Sequence, residues 1–297
     1  TSSQSVSRLT QKKVWVFTIS AILILVSISP NSLAQGLRVQ PAHLMIKLAP
    51  GESVTKSLRV QNKSKSQIKL ILEKKDFDLT SKPNVQLFSP GKITRSASPW
   101  ISLQVNETTI KDNKTKEVYF KIKRPKDSLK GSYWAAITLK SASPVENFRT
   151  TNNKIDIGLN YKYQIGVYVL DPRIAELSGR VKKMQITKIQ PTPLSNSKEK
   201  EEKDNKARYR ASVVFKNTCS QLLRPKITVD IKNTSGKTVT TKHIDKATTL
   251  PNHERIYQTI FDSSKLHSGR YIAVALVDYG GQKMAGAQYK FKIPPEQ

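Results

Sequence analysis

Apolar and polar residues alternate over residues 155–169, a stretch that is long for one element. Every second residue there is apolar, and the residues between are mostly polar or glycine. A period of two is typical of a β-strand with one face in a core and the other in solvent. Because strands usually run about 5–6 residues, the pattern predicts one exceptionally long strand. Its apolar face comprises Ile155, Ile157, Leu159, Tyr161, Tyr163, Ile165, Val167 and Val169.

Shorter strand patterns fill the rest of the chain and form two sets. The first set lies between residues 37 and 140, and turn-rich segments such as 49–53 and 62–66 separate its members. The second set follows Pro172 and continues to residue 294. Regularly spaced strands without a sustained helical period are typical of antiparallel sandwiches. We therefore expect an all-β chain with two immunoglobulin-like β-sandwich domains in tandem, after an N-terminal signal segment.

A short motif recurs near the end of each set. It places a glycine, a tyrosine and an alanine at alternate positions, namely Gly131, Tyr133 and Ala135 in the first set and Gly269, Tyr271 and Ala273 in the second. Immunoglobulin-like domains place a corner tyrosine at the entry of a late strand, where its hydroxyl bonds back to the chain. The repeat supports two related domains, which we predict at residues 35–172 and 173–297.

The first 34 residues have the pattern of a secretory signal. Basic residues precede an apolar run at 14–29, and the small residues Ser32 and Ala34 mark a cleavage point. The apolar run is shorter than the ~20 residues that a membrane-spanning helix needs. We expect cleavage after Ala34 and a mature chain without a membrane span, in the periplasm or at the cell surface. An uncleaved membrane anchor is the alternative.

The chain is strongly basic, with 51 Lys and Arg residues against 22 Asp and Glu residues and a formal net charge of +29. The lysines are spread along the chain, and an exported protein rarely meets nucleic acid, so we expect no nucleic-acid partner. A basic surface outside the cytoplasm can attract anionic envelope polymers, lipid headgroups or acidic proteins. It can equally be a solvated surface that keeps the protein soluble.

Residue types that carry catalysis or bind metals are scattered. His43, His243, His253 and His267 lack the spacing of metal ligands, and the sequence has no nucleophile elbow or Gly-rich phosphate loop. The single cysteine, Cys219, cannot form a disulfide within the chain and is predicted to be a small buried hydrophobe. We expect a protein that is not an enzyme and that has no cofactor and no metal.

The order of motifs in the first half resembles that of a known family. A P-G-E turn at 50–52 is followed by LRVQNKS at 58–64, WISL at 100–103, YFKIKRP at 119–125 and a last strand that runs into Asp171-Pro172. Over residues 36–172 this order resembles that of the PapD-like periplasmic pilus chaperones. The second half resembles this family only in architecture. The resemblance implies a chaperone of fimbrium biogenesis whose partners are the protein subunits of a surface fibre. It also allows an outer-membrane usher as a partner.

In that family, the last strand of the first domain completes an unfinished subunit sandwich. This donor-strand complementation is a form of β-augmentation, in which main-chain hydrogen bonds and alternate side chains hold the partner. The resemblance implies that Ile165, Val167 and Val169 pack in the domain's own core. It also implies that the near half of the strand binds the partner, namely Ile155, Ile157, Leu159 and Tyr161. The alternative is that the whole strand is covered within this chain.

The family also anchors the partner's C-terminal carboxylate, with an Arg on the first strand and a Lys on the last. The matching positions fall near Met45 or Ile46 and near Gln164 or Ile165, and none of these residues is basic. Lys162, on the polar face of the predicted strand, is the candidate that remains for this contact.

A second function class fits the same features. A structural protein of the cell envelope could use two immunoglobulin-like domains to contact anionic wall polymer or a surface protein. The basic surface is compatible with both classes, so the sequence leaves both open.

Overall fold

The computed structural model describes residues 36–79, 85–142, 146–149, 156–189, 208–244, 246–262 and 266–295. The predicted signal segment therefore lies outside the described residues. Residues Gly36–Gln297 form one compact unit. Within the described ranges the only helical element is a 3-10 turn at Ser98–Trp100, and no helix there is long and apolar enough to cross a membrane.

The first half forms two facing sheets and a small hairpin. Its strands are β1 (Leu37–Gln40), β2 (His43–Lys47), β3 (Ser53–Asn62), β4 (Ile68–Leu79), β5 (Val85–Phe88), β6 (Ile101–Leu103), β7 (Glu107–Ile110), β8 (Thr115–Lys123), β9 (Tyr133–Ser141), β10 (Glu146–Arg149), β11 (Asp156–Leu159) and β12 (Lys162–Leu170). One sheet has the order β1-β3-β8-β6, and the other has the order β2-β12-β9-β4-β5 with β7 also on β4. Alternate residues of both sheets fill one core, which includes Leu58, Phe120, Ile137 and Val167.

The second half forms a further sandwich. Its strands are β13 (Gly179–Ile189), β14 (Arg208–Asn217), β15 (Lys226–Asn233), β16 (Thr238–Ile244), β17 (Glu254–Asp262), β18 (Gly269–Asp278) and β19 (Ala285–Ile293). The sheet β13-β14-β17 faces the sheet β16-β15-β18-β19 across a core that includes Phe215 and Val229. Cys219 is half-buried beside this core, so it is less buried than predicted. The predicted domain boundary after residue 172 stays a prediction.

The repeated glycine–tyrosine–alanine motif begins the same strand in each sandwich. Tyr271 enters β18, and its hydroxyl donates to the backbone oxygen of His267 at 3.0 Å, which confirms a corner tyrosine there. Tyr133 enters β9, but its ring packs against Trp100 with 4.4 Å between ring centroids and faces the Arg124 guanidinium. The fold class is as predicted, an all-β chain with two immunoglobulin-like sandwiches.

The two sandwiches meet through apolar and polar contacts. A buried cluster joins Phe77, Trp134, Ala136 and Tyr168 of the first sandwich to Leu222 and Leu250 of the second. Beside it, the Gln221 side chain accepts from the Asp171 N–H at 3.2 Å and donates to the Asp171 carbonyl at 3.0 Å. Ser132 Oγ donates to Gln221 Oε1 at 2.5 Å and accepts from the next backbone N–H, that of Leu222, at 2.9 Å. The two sandwiches are therefore joined by packed and hydrogen-bonded side chains as well as by the covalent chain.

An ion cluster fixes the chain where β12 ends. Arg124 and Asp171 are fully buried, and Arg124 Nη2 lies 2.8 Å from Asp171 Oδ2. Arg173 Nη2 lies 2.7 Å from the same oxygen, which also accepts from the Gly131 N–H at 3.0 Å. Burial alone would raise the pKa of Asp171, but the hydrogen bonds from Arg173, Gly131 and Arg124 outweigh burial and hold this pKa well below its ordinary value. Asp171 is therefore ionised in the folded protein.

Candidate functional site

The alternating stretch 155–169 is not one strand, which corrects the prediction. Asn160 and Tyr161 separate β11 from β12 and belong to neither strand. The break is fixed by Ser141, the last residue of β9. Its N–H donates to the Tyr161 carbonyl at 2.9 Å, and its hydroxyl accepts from the Tyr161 N–H at 3.1 Å. Before this point the chain pairs with β10 instead of β9.

The far half of the stretch packs as predicted. Ile165, Val167 and Val169 are buried in the first core. β12 runs antiparallel to β9 along its length and parallel to β2 from Gly166 to Leu170. The prediction that this half packs in the first core is confirmed.

The near half lies on the β10–β11 hairpin. Ile157 is opposite Phe148 and Leu159 is opposite Glu146 in the register of that hairpin. Ile155 lies outside the described residues. Among the described strands, the hairpin forms a separate two-stranded sheet and does not extend either large sheet. Partner binding by these residues stays a prediction.

Tyr161 and Lys162 lie at the base of the hairpin. The Tyr161 ring is partly buried against the first core and lies so close to Gly36 that a side chain at Gly36 would collide with its hydroxyl. Lys162 is exposed and lies opposite Lys140 of β9. Their predicted role in partner binding also remains untested.

One edge of β12 is only half covered. β2 pairs with this edge from Gly166 onward. Among the described residues, no strand pairs with the same edge between Lys162 and Ile165. Unpaired N–H and C=O groups on a sheet edge are a template for an added strand. This segment could therefore accept an extended partner chain.

A cationic cavity of about 440 Å³ adjoins the uncovered edge, between the two sandwiches. The first sandwich contributes His43, Gln164 and Tyr168 to its lining, and the second contributes Arg224, Lys246 and Arg255. The described lining contains no Asp or Glu residue. Positive groups that converge without a negative partner favour an anionic ligand.

Arg224 has few hydrogen-bond partners among the described residues of this cavity. Its Nη1 lies 3.4 Å from His43 Nε2 and 3.7 Å from Met45 Sδ. Its Nε is fully enclosed and has no hydrogen-bond partner in the described part of the chain. The Arg224 guanidinium lines the cavity, and a carboxylate is the acceptor that matches a guanidinium best. The geometry therefore fits a carboxylate at Arg224.

Tyr168 supplies a neutral donor beside these cations. Burial raises the pKa of Tyr168, and the hydrogen bond with Thr248 and the charges of Arg255 and Arg224 offset only part of this effect. Arg255 is itself oriented, because its Nη1 donates to the Thr248 carbonyl at 2.8 Å. The cavity thus combines fixed positive charge with a phenol that stays protonated.

The β12 positions that the resemblance suggested for a carboxylate anchor lie in different environments. Gln164 lines the cavity and Ile165 is buried in the core. Lys162 lies on the same face of β12 as Gln164 but is not part of the lining. The sequence analysis missed Arg224, because this arginine comes from the second sandwich and only the packing of the two sandwiches brings it to Met45.

The described residues offer no metal centre. Within these ranges, no three His, Cys, Asp or Glu side chains lie close enough together to hold a metal ion. The open strand edge and the cationic cavity share Gln164.

No family model and no curated protein matches the chain. A chain of the chaperone–tip adhesin complex of CFA/I fimbriae biogenesis is 13% identical with a TM-score of 0.42, covering 87% of this chain and 99% of that chain. The class 5 fimbriae chaperone CfaA is 13% identical with a TM-score of 0.40 over 87% and 100% of the two chains. The Pseudomonas aeruginosa CupB2 chaperone is 9% identical with a TM-score of 0.40 over 86% and 100%. The sheet orders and the corner tyrosine establish the immunoglobulin-like fold without these matches.

Proposed function

We propose that this protein is a non-enzymatic periplasmic chaperone for subunits of a surface fibre. It binds an immunoglobulin-like subunit that lacks one strand, through the β10–β11 hairpin and the uncovered edge of β12. The subunit's C-terminal carboxylate lies in the cationic cavity. The observation that carries the proposal is that Gln164 belongs both to the open edge and to the cavity lining.

The direction of the partner strand follows from where β2 begins. A strand added parallel to β12 along Lys162–Ile165 would run toward Gly166 and meet His43 there, because His43 pairs with Gly166. His43 is also the residue 3.4 Å from Arg224. A partner chain that ends at this point presents its terminal carboxylate to Arg224. An antiparallel strand would instead present its terminal ammonium group to four basic side chains.

The energy of binding comes from two sources. Main-chain hydrogen bonds along the edge contribute about 0.5–1.5 kcal/mol each, and full burial of Ile157 or Leu159 in the partner's groove contributes about 1.5–3 kcal/mol each. The carboxylate then pairs with the Arg224 guanidinium, which lines the cavity. The apolar contacts supply most of the affinity, and the carboxylate sets the register.

The test begins with the partner itself. Residues 35–297 are purified from the envelope and the co-eluting proteins are identified by mass spectrometry. We expect a subunit whose own sandwich is one strand short. Binding of the purified subunit is then compared with the same subunit carrying an amidated C-terminus, which should bind about tenfold more weakly, since one charge-assisted contact is lost.

Two variants locate the carboxylate. Arg224→Gln should weaken the free-acid subunit about tenfold and leave the amidated subunit unchanged. Arg270→Gln is the matched control, because Arg270 is exposed on β18 away from the cavity. Equal effects of the two variants, or co-elution of wall polymer without a subunit, would overturn the proposal.

A further inference from the structure

The two sandwiches close the same end with the same hydrogen-bond motif. A fully buried asparagine ends β3 in one and β14 in the other. Asn62 Nδ2 donates to the Ser66 carbonyl at 2.7 Å, and Asn217 Nδ2 donates to the Gln221 carbonyl at 2.8 Å. Each asparagine Oδ1 also accepts from the N–H two residues later, at 2.9 and 3.0 Å. The loops at 62–66 and 217–221 are therefore structural equivalents.

The adjoining turns are equivalent too. The Asn62 N–H donates to the Lys114 carbonyl at 2.9 Å, and the Asn217 N–H donates to the His253 carbonyl at 3.0 Å. Each turn closes by a backbone bond, from Lys114 to Lys111 and from His253 to Leu250. Both turns place an asparagine in the left-handed region, with φ of 53° at position 113 and 64° at position 252. Lys111 thus corresponds to Leu250, and Lys114 corresponds to His253.

In the second sandwich this end is a docking surface. Leu250 is fully buried in the cluster shared by both sandwiches. His253 Nε2 lies 2.9 Å from Asp78 Oδ1 of the first sandwich. Gln221, on the equivalent loop, binds Ser132 and Asp171. The whole loop end therefore contacts a neighbouring β-sandwich, and it places a basic side chain on a carboxylate.

In the first sandwich the same end is basic. We call it the lysine tip, consisting of loops 62–66 and 110–114, in which the exposed side chains of Lys63, Lys65, Lys111 and Lys114 outnumber the one exposed carboxylate, Asp112. None of these four lysines forms an ion pair within the described ranges. The buried Asn62 side chain also donates to the Ile110 and Lys111 carbonyls at 3.1 Å. These bonds hold both loops in place, so the backbone that carries the four lysines is ordered.

We propose that the lysine tip docks onto an acidic surface of a folded partner protein, with carboxylates opposite Lys111 and Lys114. Lys111 and Lys114 occupy the positions that Leu250 and His253 use to contact a neighbouring sandwich. The four lysines, which form no ion pair among the described residues, favour an acidic partner. A second copy of this chain does not fit, because its net charge is +29. β4, which begins just after loop 62–66, contacts the chain that leads into the hairpin, since the Ala142 N–H donates to the Lys69 carbonyl at 2.9 Å. The partner that we assign is therefore the fibre subunit of the proposed function.

The first test needs no subunit. Binding of a fluorescent oligoglutamate peptide is measured by anisotropy for the wild type, for Lys111→Glu/Lys114→Glu and for the control Lys290→Glu/Lys292→Glu. The control changes the same charge at exposed residues of β19. We expect a dissociation constant about tenfold higher for the tip variant and less than about threefold higher for the control, because ordered charges bind better than dispersed ones. Equal losses would overturn the proposal.

Two further measurements distinguish failure of the lysine-tip proposal from failure of the proposed function. Vesicles that contain anionic phosphatidylglycerol should bind the tip variant and the control variant equally; a loss confined to the tip variant would identify a membrane surface and overturn an acidic protein partner. With the purified subunit, the tip variant should lower the association rate at low salt. The uncharged variant Ile157→Ser/Leu159→Ser should disrupt the complex yet leave oligoglutamate binding unchanged, because it alters no charge. Failure of the subunit complex alone would count against the proposed function, and failure of the peptide measurement would count against the lysine tip. Thermal melts check that each variant is folded.

Discussion

β11 and β12 follow one another in the chain and share one alternating pattern, yet their environments differ. β12 is paired on one side with β9 and, from Gly166 onward, on the other with β2, and Ile165, Val167 and Val169 are buried. β11 pairs only with β10 among the described strands. The difference arises at Ser141, where β9 ends and stops providing a pairing edge.

The comparison teaches that alternation specifies the face of a residue but not the strand beside it. The period of a strand depends on its own backbone geometry. Its pairing partner depends on where a neighbouring strand ends. A sequence can therefore continue one alternating pattern across two strands that belong to different sheets.

The largest effect is expected from a charge inside β12. Val167 is fully buried, so Val167→Asp puts an unpaired carboxylate into the first core and should cost about 4 kcal/mol or more. Loss of the cooperative thermal transition of the first sandwich would show this. Lys162→Asp, at an exposed position of the same strand, should melt like the wild type. Similar melts for both variants would contradict the assigned faces of β12.

The end of β12 should be nearly as sensitive. Asp171→Asn leaves Arg124 buried without its carboxylate and should destabilise the protein by about 3–5 kcal/mol. The folded pKa of Asp171 lies below its ordinary value, so its contribution is present above the unfolded pKa near 3.9 and is lost as the pH falls below it. Denaturant titrations between neutral and acidic pH should show a smaller acid loss for Asp171→Asn than for the wild type. The exposed control Asp112→Asn should keep the wild-type acid dependence.

A smaller effect is expected where β12 contacts β1. The Tyr163 hydroxyl donates to the Leu37 carbonyl, and Tyr163→Phe should lower the free energy of unfolding by about 1 kcal/mol. Tyr119 projects from the outer face of β8 and is half-exposed, so Tyr119→Phe should change the unfolding energy much less. Equal values from chemical denaturation would mean that the β1 contact adds nothing.

The smallest effect on stability is expected in β11. Ile157→Asp/Leu159→Asp should leave the melting temperature unchanged within error, because we assign these side chains to a partner and not to the core. The same double variant should abolish subunit binding, since two carboxylates would enter an apolar groove without counter-ions. A melt as low as that of Val167→Asp would identify β11 as ordinary core and end the donor-strand hypothesis.

The sequence predicted the fold class and the buried face of β12 because both depend on local periodicity. Ile165, Val167 and Val169 needed only the period of two to be assigned. The break at Asn160 and Tyr161 could not be predicted, because it depends on two hydrogen bonds to Ser141, about 20 residues away in the chain. Arg224 was equally out of reach, since no local pattern indicates that it will meet His43.

The parallel pairing of β2 with β12 has a practical consequence for any chain that binds beside it. Because β2 occupies the edge from Gly166 onward, a strand that pairs parallel with Lys162–Ile165 cannot continue along β12 beyond that point. Extra residues beyond the partner's natural end would collide with β2 or displace the terminal carboxylate that we propose at Arg224. Affinity tags fused to the C-terminus of a candidate subunit would therefore hide the interaction, whereas tags at its N-terminus would preserve it.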